Sequence, residues 1–227
     1  MRKIQLVLVA LIVLILSAFK ADHVITIYMI GDSTMSNKPL EGNNQERGWG
    51  HVLGSFFTED VRVENHAMNG RSSKSFIDEG RWETVVNKIR PGDYVFIQFG
   101  HNDEKPQPER HTDPGTTFDE NLRKFVRETR AKGGIPVLFN SIVRRNFGVN
   151  PDAVAADDIR PEKDEAVVEG DTLIDTHGKY LESPRNVAKE MDVCFIDLNQ
   201  ATKKLVESYG VEGSKKLFMW IPADTYA

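Results

Sequence analysis

Five short apolar runs, each followed by a longer stretch of helical periodicity, constrain the fold of this chain more than any other feature. The runs cover residues 24–30, 61–64, 94–99, 136–140 and 193–198. The helical stretches cover residues 50–57, 82–89, 118–131, 179–191 and 200–209. Continuous apolar runs are typical of strands buried on both faces of a sheet. The alternation therefore predicts an α/β fold, with a five-stranded parallel sheet between helices.

The N-terminus has the pattern of an export signal. Two basic residues at positions 2 and 3 precede an apolar run over residues 4–16, and Ser17 and Ala18 follow it. We predict a signal peptide over residues 1–18, so that the mature protein is exported to the periplasm or the extracellular space. A permanent membrane anchor is the alternative, but this run is shorter than the roughly 20 apolar residues that span a bilayer. We expect no membrane association after removal of the signal.

The charge composition of the chain limits the kinds of molecule that it can bind. Residues 19–227, which remain after removal of the signal, carry 27 basic against 34 acidic side chains, and we expect a single domain over residues 22–227. This acidic balance disfavours nucleic acid as a partner. Cys194 is the single cysteine and lies in the last apolar run, so we expect it to pack as a small hydrophobe. The polar segment over residues 144–170 is expected to be a surface insertion.

Three predicted strands lead into polar clusters that suit acyl transfer. The clusters contain Gly31-Asp32-Ser33, Asn69-Gly70 and Gly100-His101-Asn102. Since the carboxyl ends of parallel strands face one crevice, these clusters are expected to meet. We interpret Ser33 as a nucleophile, with its own N–H, the Gly70 N–H and the Asn102 amide as donors to an oxyanion. The alternatives are an N-cap role for Ser33 and a turn role for Asn102.

The same blocks carry a resemblance to a known family. "GDST" at 31–34, "NG" at 69–70 and "GHND" at 100–103 resemble the first three blocks of the SGNH hydrolases, the GDSL-type esterases. "RGWG" at 47–50, "NGRSSKSF" at 69–76 and "GGIPVLFNSIVRR" at 133–145 resemble its rhamnogalacturonan acetylesterase branch. The resemblance implies a three-layer, flavodoxin-like α/β/α fold. It also implies Ser33 as nucleophile, Gly70 and Asn102 in the oxyanion hole, and removal of acetyl groups from a pectin-type polysaccharide or oligosaccharide.

The general base of that family is missing from this sequence. The family carries it in an Asp-x-x-His block, and none of the six histidines here has an aspartate three residues before it. Asp175-Thr176-His177 has the wrong spacing, so we interpret His177 as a surface or helix-entry histidine rather than as the base. We expect the block to lie beyond Ala227 and the 227-residue chain alone to be nearly inactive.

Substrate contacts are predicted at His101, Arg71 and Trp49. Each has a plainer alternative, namely a local hydrogen bond for the histidine, a solvated charge for the arginine and core packing for the tryptophan. Arginine pairs well with carboxylates, so the cations that are candidates for contact with galacturonate are Arg71, Lys74, Arg144 and Arg145.

Two other functions remain open at this stage. One is the same chemistry on another ester, such as a lipid, and the other is a non-catalytic carbohydrate-binding protein without a base. The sequence has no P-loop, no His-Glu-x-x-His motif and no cysteine pair, so we expect neither a cofactor nor a metal ion.

Overall fold

The structure is a computed structural model that describes residues 24–42, 44–147 and 173–218. The predicted signal peptide lies outside the described residues, as does most of the polar segment over residues 144–170. In the described part of the chain, no helix is long and apolar enough to cross a membrane.

The sheet has five parallel strands, as predicted. They are β1 (Ile25–Gly31), β2 (Val61–Asn65), β3 (Tyr94–Gln98), β4 (Ile135–Phe139) and β5 (Cys194–Ile196). Their spatial order is β2-β1-β3-β4-β5, and every neighbouring pair is parallel. This is the flavodoxin-like order, in which the sequence direction reverses next to β1. Loops that leave β1 and β3 therefore start side by side at one edge of the sheet.

Within the residues that the structure describes, five α-helices and four 3-10 turns accompany the strands. The helices are α1 (Ser73–Asp78), α2 (Arg81–Val86), α3 (Thr117–Ala131), α4 (Glu182–Met191) and α5 (Leu198–Gly213), and α5 is kinked at Gly210. The 3-10 turns are Trp49–His51, Leu53–Phe56, Gly178–Leu181 and Ser214–Leu217.

Side chains of the central strands alternate between two cores. Tyr28 and Ile30 of β1 pack into the larger core, whereas Ile27 and Met29 pack into the smaller one. Successive side chains of a strand point to opposite faces, so each central strand contributes to both cores. The larger core contains residues of α1 to α4, and the smaller core receives residues of the 3-10 turns around position 50.

Helix α3 forms where predicted because its sequence has an apolar face and a glycine after its C-terminus. Phe118, Leu122, Phe125 and Val126 are fully buried, at the spacing that places them on one face of a helix. The helix ends at Ala131, and Gly133 follows with φ of +77°, a conformation that glycine adopts without strain. The chain then turns directly into β4.

Three expectations about local structure were wrong. The stretch over residues 50–57 forms two 3-10 turns rather than an α-helix, and Phe56 in it is exposed. Helix α1 was not predicted, because it is only six residues long and lies within a polar motif. Cys194 is exposed rather than buried, because β5 is the edge strand and its alternate side chains face solvent.

Candidate active site

The turn after β1 presents Ser33. A Cβ atom on Gly31 would lie 2.6 Å from the Gln98 carbonyl oxygen, so only glycine fits beside β3 here. Asp32 then shapes the turn, since its Oδ1 accepts hydrogen bonds from the Thr34 N–H at 2.9 Å and the Thr34 hydroxyl at 2.8 Å. The Ser33 side chain is left half-buried, and its Oγ makes no hydrogen bond to any described residue. Asp32 therefore has a structural role in this turn.

Burial sets the electrostatics of Asp32. Its side chain is buried, and its Oδ2 has no hydrogen-bond partner among the described residues. Burial raises the pKa of Asp32 to about 6, and this rise is opposed by the Thr34 hydrogen bonds and by the charges of His177 and Arg144. The carboxyl group thus titrates in the weakly acidic range rather than at its usual pH.

The loop after β2 supplies an open backbone donor at Gly70. Its φ is +74°, and a Cβ added there would meet no atom within 4 Å. Within the part of the chain that the structure describes, the Gly70 N–H and the Ser33 N–H donate to no protein acceptor. Asn69 ties this loop to the turn after β1, because its Oδ1 accepts from the Ser36 hydroxyl at 2.6 Å and from Lys38 Nζ at 2.6 Å. Both N–H groups are therefore available to a ligand.

The loop after β3 supplies the amide of Asn102. Asn102 Nδ2 donates one hydrogen bond to the Arg71 carbonyl oxygen at 3.1 Å, and Arg110 Nη1 lies 3.5 Å from Asn102 Oδ1. An amide nitrogen carries two hydrogens, so one donor remains for a ligand. The contact to Arg71 also holds the third loop against the second.

Asp103 locks the same loops together. Its carboxylate accepts from the Ser73 N–H at 3.0 Å, the Gly100 N–H at 3.1 Å and the Thr112 hydroxyl at 2.9 Å. Ser73 is the first residue of α1, so this carboxylate joins the start of that helix to the loop after β3. Such a network restricts the relative motion of the two loops.

One cavity brings the predicted site residues together. It has a volume of about 420 Å³ and is lined by Ser33, Gly70, His101 and Asn102, among others. A second cavity of about 920 Å³ shares Ser33 and Thr34 with it. Each of the two cavities falls in the volume range that is typical of ligand-binding sites. The structure thus places the three predicted catalytic residues and His101 around one space.

Cations dominate the charged lining of this cleft. The described lining includes Lys105, Arg110, Arg144 and Arg145 in the smaller cavity, and Arg47, Lys215 and Lys216 in the larger one. Glu46 is the one acidic residue among the described lining, and it pairs with Lys38 at 2.7 Å. The whole sequence carries a net charge of −5, so the cleft contrasts with the rest of the protein. Only Arg144 and Arg145 of this set were singled out from the sequence, because nothing local marks the others.

Two predicted substrate contacts lie elsewhere. The ring of Trp49 packs against Phe139 at a centroid distance of 5.6 Å, and its Nε1 donates to Gln98 Oε1 at 2.5 Å. This placement favours core packing, the alternative given above. Arg71 pairs with Glu79 at 3.0 Å and lines a neighbouring cavity of about 400 Å³ that shares Gly70. Direct substrate contact by either residue stays a prediction.

His177 is neither at the surface nor at Ser33. Its side chain is fully buried at the residue that precedes the 3-10 turn Gly178–Leu181, which is the helix entry that the sequence indicated. It hydrogen-bonds Asp175 and His101 rather than Ser33. Sequence reasoning missed this contact because 76 residues separate the two histidines.

In residues 24–42, 44–147 and 173–218, no group of three or more His, Cys, Asp or Glu side chains is arranged to hold a metal ion.

Comparisons with known proteins agree with this geometry. The model of the GDSL-like Lipase/Acylhydrolase family matches residues 29–210. Rhamnogalacturonan acetylesterase RhgT of Bacillus subtilis (strain 168) is 40% identical over 196 residues, which cover 86% of this chain and 74% of that protein. The probable rhamnogalacturonan acetylesterase YesY of the same organism is 32% identical over 200 residues, covering 88% and 80%.

A solved structure supports the same assignment. The crystal structure of protein YxiM from Bacillus subtilis superposes with a TM-score of 0.69 at 26% identity, over 86% of this chain and 49% of the other. This chain thus spans about half the length of that protein. By sequence and by fold, the chain belongs to the GDSL-like lipase/acylhydrolase family.

Proposed function

We propose that this hydrolase of ester bonds removes acetyl groups from an acidic, pectin-type polysaccharide, with Ser33 as its nucleophile. One observation carries the proposal: Ser33, Gly70 and Asn102 share a cavity whose described charged lining is cationic. The names of RhgT and YesY as rhamnogalacturonan acetylesterases support the same substrate class. We further propose that the protein acts after export, as its N-terminus predicts.

The geometry suits a two-step acyl transfer. Ser33 Oγ attacks the acetyl carbonyl carbon, and the carbonyl electron pair moves onto the oxygen. The resulting oxyanion accepts hydrogen bonds from the N–H groups of Ser33 and Gly70 and from Asn102 Nδ2. Collapse of this intermediate breaks the bond to the sugar oxygen, which leaves with the proton that the general base has taken from Ser33 Oγ. Water then hydrolyses the acetyl-serine and releases acetate.

The general base is the component that the described residues do not place at Ser33, since none of them hydrogen-bonds its Oγ. We propose that the Asp-x-x-His block implied by the family resemblance supplies this base. Oxyanion stabilisation without the base leaves a residual acceleration of about 10³ to 10⁴ over water, so we expect slow turnover by residues 1–227 alone.

The nucleophile is tested by substitution. An acetylated pectin fragment and 4-nitrophenyl acetate are offered to the 227-residue chain and to a version that continues in the same reading frame. In whichever of these two proteins hydrolyses the substrates, we expect Ser33→Ala to lower kcat about 10³-fold or more on both substrates. Ser55→Ala is the matched control, because Ser55 is exposed and lies outside the cleft lining. Undiminished turnover in Ser33→Ala would contradict the mechanism.

The substrate charge is tested separately. Lys216 is exposed and lines the larger cavity, whereas Lys204 is exposed on α5 outside it. We expect Lys216→Glu to lower the kcat/KM ratio between acetylated uronate and acetylated neutral oligosaccharides about threefold, since one cation becomes an anion near the substrate. Lys204→Glu should leave that ratio unchanged. Equal effects of the two variants would argue against an acidic substrate.

One observation favours a second candidate function. Because Ser33 Oγ has no basic partner among the described residues, a non-catalytic carbohydrate-binding protein is also compatible with the site. Binding of the acetylated pectin fragment without turnover, in both lengths of the protein, would support this function. The charged lining disfavours a lipid ester, which needs an apolar channel.

A further inference from the structure

Three buried or half-buried side chains form a hydrogen-bonded chain that ends at the cleft. Asp175 Oδ1 lies 3.1 Å from His177 Nδ1, and His177 Nε2 lies 2.5 Å from His101 Nδ1. The two imidazole rings are nearly parallel, with an interplanar angle of 16°. Asp175 is itself fixed, since its Oδ2 accepts from the N–H groups of His177 at 3.2 Å and Gly178 at 3.3 Å.

The Asp175 carboxylate determines which atom donates and which accepts in each of these hydrogen bonds. An ionised carboxylate only accepts, so His177 Nδ1 carries a proton, and in neutral His177 the Nε2 atom is then an acceptor. Burial alone would raise the pKa of Asp175, but the hydrogen bonds from His177 and from the Gly178 N–H outweigh burial and hold this pKa below its usual value. His101 Nδ1 must therefore be the donor to His177. The proton on Nδ1 leaves Nε2 of neutral His101 without one.

His101 is held in the neutral form that this argument needs. Burial lowers the pKa of His101 well below its usual value, and the charges of Arg144 and Lys105 lower it further. Within the described residues, no protein group hydrogen-bonds the Nε2 atom of His101, although the residue lines the Ser33 cavity. A bare imidazole nitrogen is thus left for a ligand.

The rest of the cavity is rich in donors and poor in acceptors. The described lining offers N–H groups of Ser33 and Gly70, the Asn102 amide and four Lys or Arg side chains. Thr34 also lines the cavity, but its hydroxyl donates to Asp32 and accepts from Gln98. A sugar hydroxyl that enters this cavity must donate its hydrogen, and donors cannot accept it. A buried hydroxyl left without an acceptor weakens binding.

We infer that Asp175 and His177 are positioning residues that fix the Nδ1–H tautomer of His101, so that His101 Nε2 accepts a hydrogen bond from a sugar hydroxyl next to the acetyl ester. The inference rests on the proposed function, since it takes a carbohydrate ester as the substrate. It makes His101 the residue that distinguishes a hydroxyl-bearing ester from one without a hydroxyl group.

The tautomer is tested without any catalysis. Nitrogen NMR spectra of imidazole-labelled protein, in the 227-residue chain, should show His101 protonated at Nδ1 and bare at Nε2. In His177→Gln the amide oxygen can replace the lost acceptor, so the same tautomer is expected. In His177→Phe the ring volume stays but the acceptor is lost, and a shift of the proton toward Nε2 is expected. A protonated Nε2 in the unmodified chain would overturn the inference.

Binding tests the hydroxyl contact. The probes are an acetylated galacturonate oligosaccharide and the same compound with its free hydroxyls methylated, both titrated into the Ser33→Ala protein. We expect the hydroxylated probe to bind about tenfold more tightly, and His101→Phe to abolish that difference. His101→Gln, which keeps an acceptor, should restore part of it. Equal affinities for the two probes in the Ser33→Ala protein would overturn the inference, and so would binding of neither.

Kinetics separate this inference from the function on which it rests. A positioning role predicts that His101→Phe raises KM for the oligosaccharide several-fold more than KM for 4-nitrophenyl acetate, because that ester has no hydroxyl group. An equal loss of kcat on both substrates would instead make His101 the general base and overturn the positioning role. Failure of the proposed function would appear as activity that survives Ser33→Ala, whatever the His101 variants do.

Discussion

At the turn after β1, a buried carboxyl group lies directly beside the proposed nucleophile. Asp32 has one oxygen that holds Thr34 and one without a hydrogen-bond partner among the described residues. Its pKa is raised from 3.8 to about 6 by burial. The folded state therefore binds more protons than the unfolded state between these two values. The turn that presents Ser33 is thus most stable when Asp32 is protonated.

This raised pKa predicts a pH-dependent stability. The contribution of Asp32 is fully present below pH 3.8 and is lost as the pH rises through about 6, a loss of about 3 kcal/mol in the free energy of unfolding. Asp32→Asn removes the titrating group, so urea unfolding of this variant should lose that part of the decline between pH 4 and pH 7. Asp78→Asn, at an exposed carboxyl, should keep it. An identical pH profile for wild type and Asp32→Asn would contradict the assignment.

Substitution of Gly70 tests its proposed role in the oxyanion hole. Alanine at φ of +74° is strained by about 1 kcal/mol, and its methyl group would enter the open space around the N–H. We expect Gly70→Ala to lower stability by that amount and to lower kcat about tenfold or more. Gly80 has a φ of +69° and equally open surroundings, but lies outside the cleft lining. Gly80→Ala should therefore cost similar stability and no activity. Equal kcat values for the Gly70→Ala and Gly80→Ala variants would contradict a role of Gly70 in the oxyanion hole.

Among the elements, helix α1 has only six residues but a strong start. Ser72 accepts a hydrogen bond from the Ser75 N–H, and the Ser75 hydroxyl accepts one from the Ser72 N–H, which together form a capping box. The next residue, Ser73, is bonded to Asp103 of the loop after β3. A helix of six residues needs such contacts because its own hydrogen bonds are few. The cap therefore stabilises the loop that carries Gly70 of the proposed oxyanion hole.

Removal of this cap has a predictable cost. Ser72→Ala leaves a buried N–H of α1 without its acceptor, so we expect a loss of about 1 kcal/mol in the free energy of unfolding. Thr116 precedes α3 and makes no side-chain capping bond. Thr116→Ala should consequently stay within about 0.5 kcal/mol of wild type. Denaturant unfolding of both variants measures the difference, and equal losses would show that the capping box adds nothing.

Across the whole molecule, an acidic chain encloses a cationic cleft. The sequence has 34 acidic against 29 basic residues, yet the described cleft lining holds seven Lys or Arg side chains and one Glu. A concave site lined by one sign of charge concentrates ligands of the opposite sign. This contrast favours an acidic polysaccharide over a neutral one.

The charge contrast predicts a dependence on salt. Screening shortens the reach of these charges, since the Debye length falls from about 30 Å at 0.01 M to about 10 Å at 0.1 M ionic strength. We expect KM for an acetylated uronate oligosaccharide to rise severalfold over this range, with kcat little changed. KM for an acetylated neutral oligosaccharide should stay constant. Parallel changes for both substrates would indicate a general effect of salt on the protein.

The sheet and the positions of its loops could be predicted from the sequence. Apolar runs and turn residues are local signals, so five strands were predictable near their observed bounds. Ser33, Gly70 and Asn102 each follow a strand of a parallel sheet, and this topology alone brings their loops to one edge. The meeting of these residues in one cavity was therefore predictable before any distance was known.

The distant side chains that complete the site could not be predicted in this way, because tertiary packing brings them there. The contact between His101 and His177, the cationic side chain of Arg110 in the cleft and the exposure of Cys194 on an edge strand had no local signal. Each depends on the path of a long loop or on the place of a strand in the sheet. Periodicity reports which face of an element is buried, but not which distant residue lies against it, because that contact is set by the packing of the whole chain.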